Sequence, residues 1–143
     1  MIDTKAPNPN YRLLLHNDIK EINRLTGFIE AIGEEIGLTT SVTMSINLAI
    51  EEAVTNVILY AYPFGTDGLV YIDAFRHPSS IDFVVSDSGM PFDPTAAPEA
   101  KIDVPLEDRS IGGLGIHLVR RIMDSVTYRR SEGKNYFTMT KNI

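Results

Sequence analysis

The sequence predicts an α+β fold, a two-layer α/β sandwich in which helices cover one face of a mainly antiparallel sheet. Three observations support this: two pairs of β-rich segments, three segments with apolar residues at helical spacing, and short turn sequences inside each pair. With 143 residues, 43% of them hydrophobic, the chain can enclose one core but is too short for two ordinary domains. We therefore expect an N-terminal extension over residues 1–10 and a single domain over residues 11–143.

The helices are predicted from spacing and end signals. After a short strand, Tyr11–His16, apolar residues recur every three or four positions from Ile19 to Ile36, and Gly37 ends this amphipathic helix. A second, more apolar helix runs to about Tyr60. Its cap is one of three consecutive residues, Thr39, Thr40 or Ser41. A third helix is marked by Ile116, Val119, Ile122 and Met123.

The strands are predicted from runs of β-branched and aromatic residues. The first pair is Leu69–Phe75 and Ile81–Ser86, and the second is Ser125–Ser131 and Tyr136–Thr140. The segment from Pro91 to Gly113 has no sustained periodicity, and a loop of this length in a compact domain is usually a lid or disordered.

Composition excludes several classes of function. The net charge of −6 disfavours direct nucleic-acid binding, and the absence of cysteine removes disulfides and thiolate metal sites. No apolar run approaches the length that crosses a membrane, so we expect no membrane partner and a cytoplasmic location. The only basic concentration, Arg120, Arg121, Arg129 and Arg130, is interpreted as solvated surface.

Glu52 and Asn56 carry the strongest functional signal. On a helix they lie one turn apart on one face, flanked by the small or apolar residues Ala49, Leu48 and Leu59. A carboxylate in such a setting needs a partner or a task. Structural explanations are an unseen arginine for Glu52 and a cross-helix hydrogen bond for Asn56. The functional explanation is phosphoryl transfer, with Glu52 accepting a hydroxyl proton and Asn56 binding Mg²⁺.

Two glycine-containing motifs are ambiguous on their own. Asp87 before Ser88-Gly89 could hydrogen-bond its own turn or accept from the exocyclic amino group of adenine. Gly112, Gly113 and Gly115 stand before the third helix, where they could form a simple helix start or an anion site of backbone N–H groups. Arg109 lies just before these glycines and could reach a γ-phosphate or form an exposed ion pair.

The order of these motifs resembles the GHKL superfamily of ATPases and kinases, whose ATP-binding fold is the Bergerat fold. Three segments are similar to the bacterial anti-sigma-factor serine protein kinase family, and the likeness runs from about Thr39 to Lys141. The segments are Glu52-Ala53-Val54-Thr55-Asn56, Asp87 to Pro94, and Gly112 to Val119.

The resemblance implies an ATP-dependent serine kinase with a homodimeric state and two protein partners, a sigma factor and an anti-sigma-factor antagonist. Glu52 would be the base, Asn56 would hold Mg²⁺, Asp87 and Gly89 would receive adenine, and the three glycines would wrap the phosphates. An alternative is a non-catalytic module of the same fold that binds nucleotide and sequesters a protein. A second alternative is the detached ATP-binding half of a histidine kinase. It is disfavoured because the sequence has no room for a separate phosphoacceptor domain.

The chain departs from the superfamily pattern at two places. Pro91 replaces the second glycine of the Asp-x-Gly-x-Gly motif and fixes its own φ near −65°. Lys134-Asn135-Tyr136 replaces a glycine-threonine pair on the last strand, which leaves open the side chain that supports adenine there. Thr138 is a substitute candidate.

Overall fold

The computed structural model describes residues 8–96 and 113–143. Within these ranges the chain forms a five-stranded antiparallel sheet and three α-helices, which confirms the predicted fold class. The strands are β1 (Tyr11–His16), β2 (Leu69–Arg76), β3 (Ser80–Asp87), β4 (Ser125–Ser131) and β5 (Lys134–Asn142). The helices are α1 (Asn23–Ile36), α2 (Thr40–Asn56) and α3 (Gly113–Ile122).

Some predictions fall outside the described ranges. Residues 1–7 of the predicted extension and residues 97–112 of the predicted long loop are among them, and so are two candidate site residues, Arg109 and Gly112.

The sheet has the strand order β1-β2-β3-β5-β4, with every neighbouring pair antiparallel. The chain leaves β3, returns through α3 and forms the β4–β5 hairpin, with β5 inserted beside β3. In this register Asp87 at the end of β3 pairs with Asn135 at the start of β5. Two residues 48 positions apart therefore become neighbours on one face of the sheet.

Alternation along the strands places one set of side chains in the core beneath the helices. Buried residues of the central strands include Ile72, Phe83, Val85 and Met139. The helices contribute apolar residues at steps of three and four, which is the spacing predicted from the sequence. Examples are Leu25, Ile29, Ile32, Ile46, Ile50 and Val54.

Helix α2 begins where one predicted cap stands, because the Thr39 hydroxyl accepts a hydrogen bond of 3.2 Å from the Val42 N–H. The helix continues into a π-helical turn, Val57–Ala61. Thr40–Ala61 spans 22 residues and is apolar enough to cross a membrane by length and composition, which corrects the prediction that no such run exists. Half of its most apolar window is buried within the protein, as in a core helix.

Helix α1 starts later than predicted, since Ile19–Ile22 forms a 3-10 turn capped by the Asp18 carboxylate. It ends at Gly37, as predicted, where φ of +79° suits glycine. Within the helix, Gly33 is buried against α2. A Cβ built on Gly33 would overlap the Thr43 hydroxyl and lie 2.9 Å from the Thr43 methyl carbon.

The contact between the two helices can be tested with a pair of glycine substitutions in α1. We expect Gly33→Ala to lower the free energy of unfolding by about 1–3 kcal/mol, because the added methyl overpacks the interface with Thr43. Gly27→Ala is the matched control, since a Cβ at Gly27 would meet nothing within 4 Å. It should raise stability by roughly 0.5–1 kcal/mol through helix propensity. Urea unfolding would measure both, and equal effects would contradict close packing at Gly33.

Candidate active site

Helix α2 brings Glu52 and Asn56 together one turn apart, as predicted. Asn56 is 3% exposed, whereas Glu52 is half-buried. Among the flanking residues, Ala49 is fully buried. From the apolar flanking residues one would expect this face to be shielded from water, but Leu48 and Leu59 are each 42% exposed, so that expectation is wrong for the outer side of the face. A helical projection identifies the residues that share a face but not the elements that cover it.

The Glu52 carboxylate has the surroundings of a proton acceptor. Burial raises its pKa above the ordinary value of 4.5, and the neighbouring Glu51 charge raises it further. No ion pair joins Glu52 to a basic side chain in the described part of the chain, so the expected structural partner is not found there. A cavity of about 320 Å³ opens beside it. The lining residues are Glu52, Gly115, His117, Leu118 and Arg121.

The side-chain oxygen of Asn56 makes no hydrogen bond within the described residues. Its Oδ1 atom is buried and has no hydrogen-bond partner among residues 8–96 and 113–143, which argues against a cross-helix hydrogen bond through this oxygen. A buried unpaired acceptor costs about 1–3 kcal/mol, so it is a natural place for a ligand or cation. The described residues contain no cluster of three or more His, Cys, Asp or Glu suited to a metal. A divalent cation at Asn56 would thus take most of its ligands from bound phosphate and water.

Asp87 supports both interpretations of its motif, with one oxygen for each. Its Oδ1 accepts from the Gly89 N–H at 2.8 Å and from Asn135 Nδ2 at 2.9 Å, so the predicted turn is confirmed. Its Oδ2 is buried without a partner in the described ranges and remains available to a donor on a ligand. Burial raises the pKa of Asp87, while the two hydrogen bonds and the Arg130 charge oppose that rise.

Gly89 allows the Asp87 turn to contact the end of the π-helical turn that follows α2. A Cβ at Gly89 would overlap the Ala61 carbonyl oxygen, and the next residue, Met90, donates its N–H to that oxygen at 2.7 Å. Glycine is therefore required here by close approach. The π-helical turn that ends at Ala61 thus links the Glu52–Asn56 helix to the Asp87 turn.

Gly115 allows the first turn of α3 to approach the pair on α2. A Cβ at Gly115 would lie 2.7 Å from Glu52 Oε2 and 3.6 Å from Asn56 Nδ2. Helix α3 begins at Gly113, consistent with both a simple helix start and an anion site at its N-terminal end. The predicted roles of Arg109 and Gly112 lie outside the described residues.

The last-strand candidate needs a correction. Thr138 pairs with Val84 and Thr127, so alternation places its side chain on the sheet face away from the helices. Asn135, three positions earlier, lies on the face of Asp87 and hydrogen-bonds to it. The sequence shows Asn135 in place of the usual pair, and strand alternation is the signal that could have identified it as the residue facing Asp87.

The four basic residues are exposed, as predicted, and several of them also contact other parts of the chain. Arg130 donates to the Gly89 carbonyl at 2.8 Å, Arg120 donates to the Thr95 carbonyl at 3.2 Å, and Arg129 lies 4.3 Å from the centre of the Tyr136 ring. Arg121 lines the Glu52 cavity. A larger cavity of about 650 Å³ lies between α1 and α2, and its lining includes none of the predicted site residues.

Comparison with known proteins identifies the family of this chain. Residues 15–141 match the family described as the histidine kinase-like ATPase domain. The chain is 32% identical over 126 residues to serine-protein kinase RsbW of Staphylococcus aureus strain JH9, covering 84% of this chain and 77% of that protein. It is 26% identical over 98 residues to serine/threonine-protein kinase BtrW of Bordetella bronchiseptica, covering 68% and 69% of the two chains.

A solved structure gives the same fold. The histidine kinase domain of the blue-light-activated histidine kinase of Erythrobacter litoralis EL346 superposes with a TM-score of 0.53 and 15% identity. The match covers 84% of this chain and 59% of that one. Together with the kinase relatives, these findings confirm the family resemblance seen in the motifs. The chain therefore belongs to the histidine kinase-like ATPase domain family and is related within it to RsbW and BtrW serine protein kinases.

Proposed function

We propose that this protein is an ATP-dependent serine protein kinase that acts as an anti-sigma factor and phosphorylates a serine of an anti-sigma-factor antagonist. One observation carries the proposal: Glu52, with a raised pKa and no basic partner in the described residues, opens to a cavity one helical turn from the unpaired Asn56 oxygen. Membership of an ATPase family implies an ATP site, and the named relatives are serine kinases.

The nucleotide fits the atoms that the fold leaves free. Asp87 Oδ2 is an acceptor for the adenine amino group, and Asn56 Oδ1 is a hard oxygen ligand for Mg²⁺. The α3 N-terminus, with Gly113 and Gly115, offers backbone N–H groups to phosphate, and we assign Gly112 to the same role. When bound, ATP supplies the phosphoryl group that a serine oxygen receives, with ADP as the leaving group.

Glu52 then acts as the general base. Its carboxylate takes the proton of the incoming serine hydroxyl, which makes the oxygen a better nucleophile. A pKa raised by burial makes the carboxylate a stronger base. Arg121 lines the cavity at Glu52, and we propose that it, together with Arg109, attracts the negative charge of the transferred group.

The two protein partners belong to the same proposal. We expect an antagonist protein to present its serine at the Glu52 cavity and a sigma factor to be held in the other state of the switch. The homodimeric state and the cytoplasmic location belong to the same proposal, as does a catalytic rather than purely nucleotide-binding role.

The direct test is to incubate the purified chain with γ-labelled ATP, Mg²⁺ and candidate antagonist proteins. Acid-stable label on a serine supports the proposal. Acid-labile label on histidine would instead indicate a histidine kinase, and ATP binding without transfer to any candidate would favour the non-catalytic module.

The role of Glu52 predicts the effect of removing its charge. We expect Glu52→Gln to lower kcat by about 10²–10⁴-fold with nucleotide affinity retained, since a general base contributes that much. In the parent protein the rate should fall as the pH drops through the raised pKa of Glu52, because the protonated acid cannot accept the serine proton.

Glu51→Gln is the matched control for this prediction. Glu51 raises the pKa of its neighbour by charge repulsion, so its neutralisation should keep activity and shift the acid limb of the rate profile to lower pH. Rates measured across the acid limb and into the neutral plateau would check both variants. Turnover of Glu52→Gln within a few fold of the parent would remove Glu52 as the base.

Gly115 predicts a defect in geometry rather than in folding. Gly115→Ala should displace the Glu52 carboxylate, because the added Cβ would lie 2.7 Å from Glu52 Oε2. We expect kcat to fall by about 10–100-fold with little loss of thermal stability. Gly27→Ala controls for helix propensity alone. A normal rate in Gly115→Ala would show that the approach of α3 to Glu52 is unimportant for transfer.

Asp87 predicts base preference. Asp87→Asn should reduce the preference for ATP over GTP, because the substituted amide presents a donor as well as an acceptor to the purine edge. Calorimetric dissociation constants for both nucleotides would measure the ratio. If the ratio is unaltered, Asp87 serves the turn alone.

A further inference from the structure

We propose that Asn135 is a positioning residue that holds the Asp87 side chain through its Oδ1 atom and presents only the Oδ2 atom to the base of the nucleotide. The inference rests on the proposed function and adds a residue to its binding site. Asn135 is 3% exposed and lies directly opposite Asp87 in the β3–β5 register.

The Asn135 amide is fully hydrogen-bonded. Its Nδ2 group donates at 2.9 Å to Asp87 Oδ1 and at 2.7 Å to the Met90 carbonyl. Its Oδ1 atom accepts from three donors. These are the Tyr128 hydroxyl at 2.6 Å, the Arg130 guanidinium at 3.1 Å and the Phe92 N–H at 3.3 Å.

These partners determine the orientation of the amide by chemistry. Asp87 Oδ1 and the Met90 carbonyl can only accept, while the Phe92 N–H and the Arg130 guanidinium can only donate. A flipped amide would set oxygen against oxygen on one side and donor against donor on the other. The NH₂ group of Asn135 therefore faces Asp87.

The two carboxylate oxygens of Asp87 therefore differ in the hydrogen bonds that they make. Oδ1 is occupied by Asn135 and by the Gly89 N–H, so Oδ2 is the oxygen left for a ligand. A donated hydrogen bond favours the charged form of a carboxylate and opposes the effect of burial. Asn135 thus keeps Asp87 an acceptor, which the amino group of adenine requires.

Other groups around Asp87 act on the same charge. Arg130 lowers the pKa of Asp87 through its charge and also donates to Asn135. Two tyrosine hydroxyls lie nearby: Tyr128 hydrogen-bonds to Asn135, and Tyr62 accepts from the Ser88 N–H. Burial raises the pKa of Tyr62 and the charge of Asp87 raises it further, so Tyr62 stays neutral at physiological pH.

Asn135 also links the two departures from the superfamily motif. It binds the Met90 carbonyl and the Phe92 N–H, the residues on either side of Pro91. Proline at position 91 has no N–H and a fixed φ, so this segment cannot adopt the conformations open to glycine. Asn135 therefore holds the segment whose backbone Pro91 makes rigid. Phe92, the next residue, stacks on Tyr60 with ring centres 5.5 Å apart.

The test uses Asn135→Asp, which preserves shape but replaces the donor by an acceptor. Two facing carboxylates share a proton when the pH is low enough. We expect ATP affinity to be roughly tenfold or more weaker at mildly alkaline pH and to recover at mildly acidic pH, where the shared proton restores a donor to Asp87 Oδ1. Calorimetry with ATP and Mg²⁺, and with inosine triphosphate in place of ATP, would measure affinity and base preference.

Two further variants keep the test decisive. Asn135→Ala removes the donor, so its affinity should stay weak at every pH. Arg130→Gln changes an exposed side chain and should fold; it should move the acid limb of ATP binding to higher pH, because the lost charge no longer opposes protonation of Asp87.

The outcomes separate the inference from the function on which it rests. The role of Asn135 is supported if ATP affinity and base preference recover at low pH in Asn135→Asp and do not recover in Asn135→Ala. A pH-independent loss in Asn135→Asp, parental affinity in Asn135→Ala, or an unshifted acid limb in Arg130→Gln would overturn it while ATP binding by the parent stands. Failure of the parent chain to bind ATP at any pH would overturn the proposed function itself.

Discussion

The site depends on buried oxygen atoms that the fold leaves without hydrogen bonds. Two buried side-chain oxygens without a partner in the described ranges, Asn56 Oδ1 and Asp87 Oδ2, lie on the elements that form the candidate site. Each such atom costs about 1–3 kcal/mol relative to a paired one. A ligand that supplied a donor to Asp87 Oδ2 and a cation to Asn56 Oδ1 would recover this cost.

The rest of the structure determines where these two oxygen atoms lie relative to each other. Helix α2 carries Glu52 and Asn56, its π-helical end accepts the Met90 N–H through the Ala61 carbonyl, and Gly115 permits α3 to close over the pair. The backbone contact at Ala61 needs glycine at position 89, and the absence of a Cβ at Gly115 leaves the Glu52 carboxylate in place. The elements that position the reactive groups are thus joined to one another near the groups themselves.

Much of this arrangement follows from local sequence signals. The bounds of β1, the end of α1 at Gly37 and a cap for α2 among Thr39, Thr40 and Ser41 were predicted from the local sequence, although the choice of Thr39 among the three was not. The Glu52–Asn56 pair was predictable because helical spacing fixes which side chains share a turn.

Other features depend on contacts that spacing alone does not specify. The choice between Thr138 and Asn135 depends on strand register, which tertiary pairing sets. The exposure of Leu48 and Leu59 depends on which elements cover α2 and the turn that follows it, and no periodicity encodes that coverage. Which Asp87 oxygen is paired and which is left without a partner depends on Asn135, a residue 48 positions further along the chain.

The strand order has a consequence for biosynthesis. Since translation proceeds from the N-terminus, β3 leaves the ribosome before α3, β4 and β5, and its edge stays unpaired until the β4–β5 hairpin docks beside it. A nascent chain that ends before residue 135 holds Asp87 without its amide donor. The proposed purine site would therefore be completed only after β5 has been synthesised, when the interior of the sheet is filled.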